Sequence, residues 1–344
     1  MKAVVIHAAR DLRLEDWDMA AIGAGQVGIA IAAGGICGSD LHYYQHGGFG
    51  AVRLREPMVL GHEVAGTVSA VGSGVAGLKS GDRVAVSPSL PCNRCEYCLK
   101  GQQNQCFDMR FYGSAMRMPH VHGAFRQQLV ADASQCHQLA DSTTFAEGAF
   151  AEPLAVTLHA VNRAGSMLNK RVLVTGSGPI GALCILAARA HGAREIVVTD
   201  IHDAPLAYAD AVGADRTINV ATSAEQLAEY AVGKGSFDVM FECSGNAAAL
   251  TTGINVLRPR SVLIQLGLGG EMSLPQNLVV SKEIEIRGSF RFHEEFALAV
   301  DLINQRRVDV NPLLTDTFGI DDAVAAFEAA GDRSRTMKVQ LAFS

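Results

Sequence analysis

The 344-residue sequence contains no basic run of five residues, no apolar stretch of 18, no internal repeat and no low-complexity tract. Each absence removes a class of function. Without a concentrated positive field, a nucleic-acid or anionic-membrane partner is not expected. Without a long apolar run, no membrane-spanning helix is expected. The opening MKAVVIHAARDLRLED reaches charged residues too soon for a secretory signal. Cysteine is also scarce. Eight in 344 residues cannot make a disulfide scaffold, and clustered thiols in a reducing compartment point to metal or catalysis. The expectation is a soluble, cytoplasmic protein of net charge −6, 49% apolar and long enough for about two domains.

What is present divides by texture. Residues 1–145 carry short strand-like runs (2–7, 26–34, 63–72, 83–88, 125–131) broken by Gly, Pro and Gly-Asp turns, the pattern of a barrel or sandwich. An alanine-rich helical junction follows at 145–165. Then unbroken β-branched strands at 171–176, 195–200, 216–220, 237–243, 261–267 and 283–290 alternate with short helices. That rhythm predicts βαβ units and a parallel sheet covered on both faces. Helices are expected at 294–305 and 321–330, and a last strand, 337–343, is placed to return to the first domain.

Three constellations carry chemistry. GSGPIG follows the strand RVLV and opens a helix, giving G-x-G-x-x-G on Gly176, Gly178 and Gly181, with Pro179 and Ile180 between. The turn, the close backbone approach and the helix N-terminus suit a pyrophosphate. Asp200 ends the next strand, 19 residues after Gly181, where it would hold ribose hydroxyls and repel a 2′-phosphate, predicting NAD over NADP. Cys92, Cys95, Cys98 and Cys106 are spaced C-x2-C-x2-C-x7-C, which suits a closed tetrahedral zinc site of structural type. The third set is dispersed. Cys37 stands alone on the glycine-rich turn GICGSDLHYY, His62 and Glu63 sit in GHE, and Glu152 opens EPLAV. A catalytic zinc needs three such ligands and an open position, but spacing alone does not assemble residues so far apart.

GHEVAGTVSAVGSGV (61–75), the four-cysteine lobe, EPLAVTLHA (152–160) and the nucleotide turn occur in an order that resembles the zinc-dependent medium-chain dehydrogenases. The resemblance runs essentially from Met1 to Ser344. Within that family, residues 34–47, 104–125 and 288–292 resemble the polyol branch, and most of all its L-idonate dehydrogenases. The resemblance implies an α/β chain: a GroES-like β-barrel catalytic domain (1–150 and 291–344) and a Rossmann domain (151–290), with the active site between them. It implies two zinc ions per chain. The catalytic one would be held by Cys37, His62 and Glu63 or Glu152, and the structural one by the four clustered cysteines. Ser39 and His42 match a proton relay that also uses the nicotinamide ribose hydroxyl, and Tyr43 and Arg291 match substrate contacts. Leu266, Gly267, Leu268, Ser289, Phe290 and Arg291 would line the nicotinamide. Pro205 stands where some relatives carry an arginine, removing one adenosine-phosphate contact.

The implied reaction is reversible NAD-linked oxidation of a secondary hydroxyl, L-idonate to 5-keto-D-gluconate, by a homodimer or homotetramer. Arg110 and Arg291 are candidate partners for the acid's carboxylate. Sorbitol, xylitol, threonine or butanediol is the alternative substrate. A zinc-stabilised NAD(H)-sensing protein is the reading from another class, and a zinc-free quinone reductase of the same superfamily is a further alternative. The first leaves Cys37, His62 and Glu152 unexplained, and relatives of the second lack those ligands.

Overall fold

The computed structural model describes residues 1–343. Its first half is built on an antiparallel sheet whose central strand is Gln26–Gly35. That strand pairs with Glu63–Val71, Gln128–Asp132 and the returning strand Lys338–Ala342, all antiparallel. Arg83–Val86 and Cys136–Gln138 extend the sheet on one side, and Leu314–Gly319 on the other. A smaller sheet, formed by Lys2–Ala8, Asp11–Asp16 and Met58–Val59, flanks it. The expected return of the C-terminal strand to the first domain is thus observed.

The second half is a six-stranded parallel sheet in the order 216–219, 195–200, 171–175, 237–242, 257–265, 285–288. Its inner strands are apolar because both faces are covered, and Phe237–Glu242 is buried at every position, whereas the edge strand Glu285–Gly288 is largely exposed. Numbered in chain order, the strands run 3-2-1-4-5-6, the doubly wound arrangement. Ligands bind such sheets where the strand order reverses, beyond the carboxyl end of the first strand, and that is where GSGPIG lies.

The helix Ala151–Ala164 joins the halves. Ala151, Leu154 and Leu158 share one buried cluster with Ala65 and Ala85 of the first sheet and Val172 and Val174 of the second. The helix Glu295–Asn304 adds Phe296, Ala299 and Ile303 to that cluster. No helix among the described residues is long and apolar enough to cross a membrane.

One local expectation is corrected. The segment containing Cys37 is not a glycine-rich turn: Gly38–His46 is a nine-residue helix with Cys37 as its N-cap. Asp40, at the third helical position, turns back so that its Oδ2 accepts the Cys37 backbone N–H at 3.0 Å. That contact satisfies one orphan donor of the first turn and places a negative charge where the helix dipole favours it. Gly47 then ends the helix in the left-handed region at φ 67°.

Candidate active site

Strand register brings the dispersed ligands together. Gly35 pairs with Glu63 across the antiparallel ladder, so Cys37, just past one strand, meets His62, just before the other. Asp40 staples the junction, its Oδ1 accepting the Gly61 N–H at 3.2 Å. One sulfur, one imidazole nitrogen and one carboxylate oxygen from Cys37, His62 and Glu63 lie within 4.8 Å of one another. A Cβ at Gly35 would stand 2.1 Å from Glu63 Oε2 and would push that carboxylate from its place against Lys338. Glu152 lies outside that tight set. It is buried at the start of the Ala151–Ala164 helix, close enough for its charge to act on Cys37 and on Arg291.

The donor set suits a divalent cation. His62 Nδ1 is buried without a hydrogen-bond partner, 3.6 Å from Asp40 Oδ1. Burial, reinforced by Glu63, pushes the Cys37 thiol up to about 11. Burial likewise pushes Glu152 up to about 8, with His62 opposing and Glu63 adding to the rise. Three groups able to carry negative charge therefore face one buried ammonium, Lys338. Burial keeps Cys37 and most of Glu152 protonated, so their ligating, anionic forms call for a cation to take the place of those protons. Lys338 was not singled out from the sequence. Its signal was a lone lysine in the apolar strand MKVQLAF, and the structure places its Nζ 2.8 and 2.7 Å from the two oxygens of Glu63. Asp40 was also missed, although an acid three residues into a helix is a recognisable capping signal.

From this centre a path leads outward along one helix face. Ser39 is half-buried, two residues from Cys37, and His42, three residues on, is exposed. Partial burial lowers the His42 pKa, helped by His46 and Arg333. Tyr43 faces the interior, with its hydroxyl accepting the Ala115 N–H at 3.0 Å and its O–H left as a donor. Arg291 is half-buried, its guanidinium 4.2 Å from the Phe111 ring centroid and its backbone left-handed at φ 56°. Phe111 also packs against His62 at 5.6 Å. Arg110 behaves differently. It is exposed on Arg110–Phe111, and strand alternation turns it away from the face that Phe111 presents to His62. The structure does not bring Arg110 into the cluster.

A cavity of about 1010 Å³ runs from Ile36, Gly38 and Leu41, beside Cys37, past Gly176, Gly178 and Pro179 to Asp200. Gly181 is required by packing, since a Cβ would stand 1.9 Å from Gly176 O. Gly178, in contrast, has nothing within 4 Å of such a Cβ. The open space at the N-terminus of Pro179–Ala190 fits a pyrophosphate. Asp200 accepts from the backbone N–H groups of Ser177, Ile201 and His202, which fixes its carboxylate at the cavity wall. Pro205 is buried and its carbonyl accepts from Ser177 Oγ. Ser289 presents a buried Oγ without a partner, Leu266 and Gly267 are half-buried, and Leu268 and Phe290 are exposed.

Cys92, Cys95, Cys98 and Cys106 form a second tight set. Their Sγ–Sγ separations of 3.5 Å (Cys95–Cys98) and 4.0 Å (Cys95–Cys106) match the edge of a tetrahedron with bonds of about 2.3 Å. Backbone N–H groups of Cys98 and Phe107 pull the Cys95 thiol down to about 6, whereas burial pushes Cys98 up to about 12. The residues fit a zinc ion with no open position.

Residues 23–141 match the family described as "Alcohol dehydrogenase GroES-like domain", and residues 179–305 the family described as "Zinc-binding dehydrogenase". The L-idonate 5-dehydrogenase (NAD(P)(+)) of Escherichia coli is 43% identical over 92% of this chain and 91% of its own. Chicken (Gallus gallus) sorbitol dehydrogenase is 39% identical over 98% and 95%. The crystal structure of the Escherichia coli L-idonate 5-dehydrogenase superposes with a TM-score of 0.92 at 40% identity, covering 99% of this chain and 97% of that one. A thiol, an imidazole and carboxylates gathered beside a nucleotide-sized cavity, with a four-thiol lobe elsewhere in the first half, are donor sets that suit the zinc named in the second family's description, and the chain belongs to the zinc-binding, GroES-like alcohol dehydrogenase family.

Proposed function

We propose that this protein reversibly oxidises the C5 hydroxyl of a sugar acid, L-idonate to 5-keto-D-gluconate, with NAD as hydride acceptor. The observation that carries the sugar-acid reading is Arg291. Its guanidinium is stacked on Phe111 beside the zinc-ligand cluster, and among the described residues it has no carboxylate ion pair. A planar, largely desolvated guanidinium with no carboxylate in ion-pair contact, and with Glu152 reaching it only at longer range, is suited to a substrate carboxylate. The relatives named for L-idonate and for sorbitol support the wider class, polyols and sugar acids.

Cys37, His62 and Glu63 or Glu152 would hold the catalytic zinc, which supplies Lewis-acid polarisation of the substrate hydroxyl. Gly176–Gly181 and Asp200 would hold NAD, the acceptor of the hydride from the carbinol carbon. Ser39 Oγ accepts the hydroxyl proton as it gives up its own, and the displaced proton passes on to the His42 imidazole, on the same helix face, for release to solvent. Tyr43 and Arg291 orient the substrate so that its carbinol hydrogen faces the cavity. Cys92, Cys95, Cys98 and Cys106 would hold the structural zinc. We place the protein in the cytoplasm as a homodimer or homotetramer.

The test is NAD(P)H formation measured in parallel with L-idonate, sorbitol, L-threonine and butanediol, using NAD+ and then NADP+. The reading expects the highest kcat/KM with L-idonate and NAD+. Faster turnover of a neutral polyol would move the function to the sorbitol-type alternative.

A further inference from the structure

Arg291 sits in a backbone region that L-residues other than asparagine and aspartate rarely adopt, at φ 56°. Such a conformation persists only where the surroundings over-determine it. Two clamps flank it. On one side, Asn104 Nδ2 donates to the carbonyl of Phe290, the residue before Arg291, at 2.9 Å. On the other, Glu295 Oε2 accepts the His293 N–H at 3.0 Å. The clamps are joined: His159 Nδ1 lies 2.9 Å from Glu295 Oε1, and its Nε2 lies 3.5 Å from Asn104 Nδ2. The donor sense is consistent throughout. An Nδ1–H given to the carboxylate leaves Nε2 as an acceptor, and the asparagine amide has one N–H for it and one for Phe290.

We propose that Asn104 is a positioning residue for substrate recognition: by holding the Phe290–Arg291 peptide, it sets the guanidinium where a sugar-acid carboxylate binds. Asn104 belongs to the short turn Gln103–Gln105, immediately before Cys106. The same lobe continues to Phe111, which lies under the guanidinium, and to Met116, whose sulfur the guanidinium approaches at 3.2 Å. The four-cysteine lobe therefore acts on the substrate pocket as well as on stability. This inference rests on the reading of Arg291 as the carboxylate partner.

The experiment compares wild type, Asn104→Ala, Arg291→Ala and the double variant as zinc-loaded enzymes, each checked for two zinc ions per chain. The expected result for Asn104→Ala is a KM for L-idonate about 3–10-fold higher, the loss of one hydrogen bond's worth of positioning. Its kcat and its KM for sorbitol should change less than the KM for L-idonate. With Arg291 already replaced, the same substitution should add no further loss on L-idonate. Deuterium exchange of the 289–293 segment should be faster in Asn104→Ala than in wild type. Unchanged exchange, or an equal KM loss with sorbitol or in the Arg291→Ala background, overturns the proposal. If wild type does not turn over L-idonate, the sugar-acid reading fails, and the exchange comparison still decides whether Asn104 holds the loop.

Discussion

Lys338 Nζ lies 2.8 and 2.7 Å from the two carboxylate oxygens of Glu63, and both side chains are almost fully buried. Burial by itself would discharge the lysine, but Glu63 and Cys37 outweigh it and hold its pKa above the ordinary value. The pair links the last strand to the edge of the zinc-ligand cluster. Removing one partner strands a buried charge, which typically costs about 3–5 kcal/mol. Lys338→Met should therefore lower the thermal unfolding midpoint sharply. The double variant Lys338→Met/Glu63→Gln, which leaves no unpaired charge, should recover part of the loss. Equal midpoints for Lys338→Met and wild type would mean that the carboxylate finds another partner.

The His42 pKa lies below its ordinary 6.5, so the imidazole is neutral and able to accept a proton throughout the neutral range. For oxidation, kcat/KM should hold steady at neutral pH and fall only as pH drops through that lowered pKa, where His42 becomes charged. His42→Ala should remove this acid limb and slow oxidation by roughly 10–100-fold at neutral pH. A pH profile unchanged by the substitution would exclude His42 from the proton path.

Arg291→Ala should raise KM for L-idonate by about tenfold or more, as expected for a lost charge-assisted contact. With sorbitol, which offers no carboxylate, the loss should be much smaller. Parallel Michaelis curves on the two substrates decide the matter, and equal losses would remove the carboxylate role.

The two cysteine centres should separate in metal analysis. Cys95→Ser should lower zinc content from two to one per chain and lower the unfolding temperature, because the lobe loses its crosslink. Cys37→Ser should also lose one zinc, but should abolish turnover with a smaller effect on unfolding.

Glu147 and Glu295 make the fold acid-sensitive. Burial disfavours the charge of each, yet hydrogen bonds prevail and hold both near 2: Thr144, Asn311 and Arg306 for Glu147, and His159, His293 and Asn162 for Glu295. A carboxyl depressed from 4.5 contributes stability that is complete above that value and lost as pH falls toward 2. Urea unfolding should show stability falling between about pH 5 and 2. Glu147→Gln, less stable at neutral pH, should show a shallower fall.

Much of this protein is legible one residue at a time, because some chemistry is local. The strand–turn–helix GSGPIG predicts its own geometry: a Cβ at Gly181 would collide with the turn, and Gly178 faces open space. Cys92, Cys95, Cys98 and Cys106 need only short loops to converge, so their spacing alone points to a metal. The alternation of apolar strands and helices after residue 170 likewise predicts a parallel sheet, since each strand's burial is written in its own side chains.

What sequence could not supply was distance between remote segments. Cys37, His62 and Glu63 meet because Gly35 pairs with Glu63, and a one-residue slip in that register would turn Glu63 away. The turn expected around Cys37 is a helix because Asp40 reaches back to cap it, a tertiary-supported choice that local glycine content obscured. Arg110 and Arg291 looked alike as arginines, and only strand alternation and the Phe111 stack distinguish the exposed one from the one in the site. Lys338 and Asn104 carry no motif. Their partners are a carboxylate 275 positions away, met when two strands flank Gln26–Gly35 in one sheet, and a carbonyl 186 positions away, met only when the two halves of the chain have packed together.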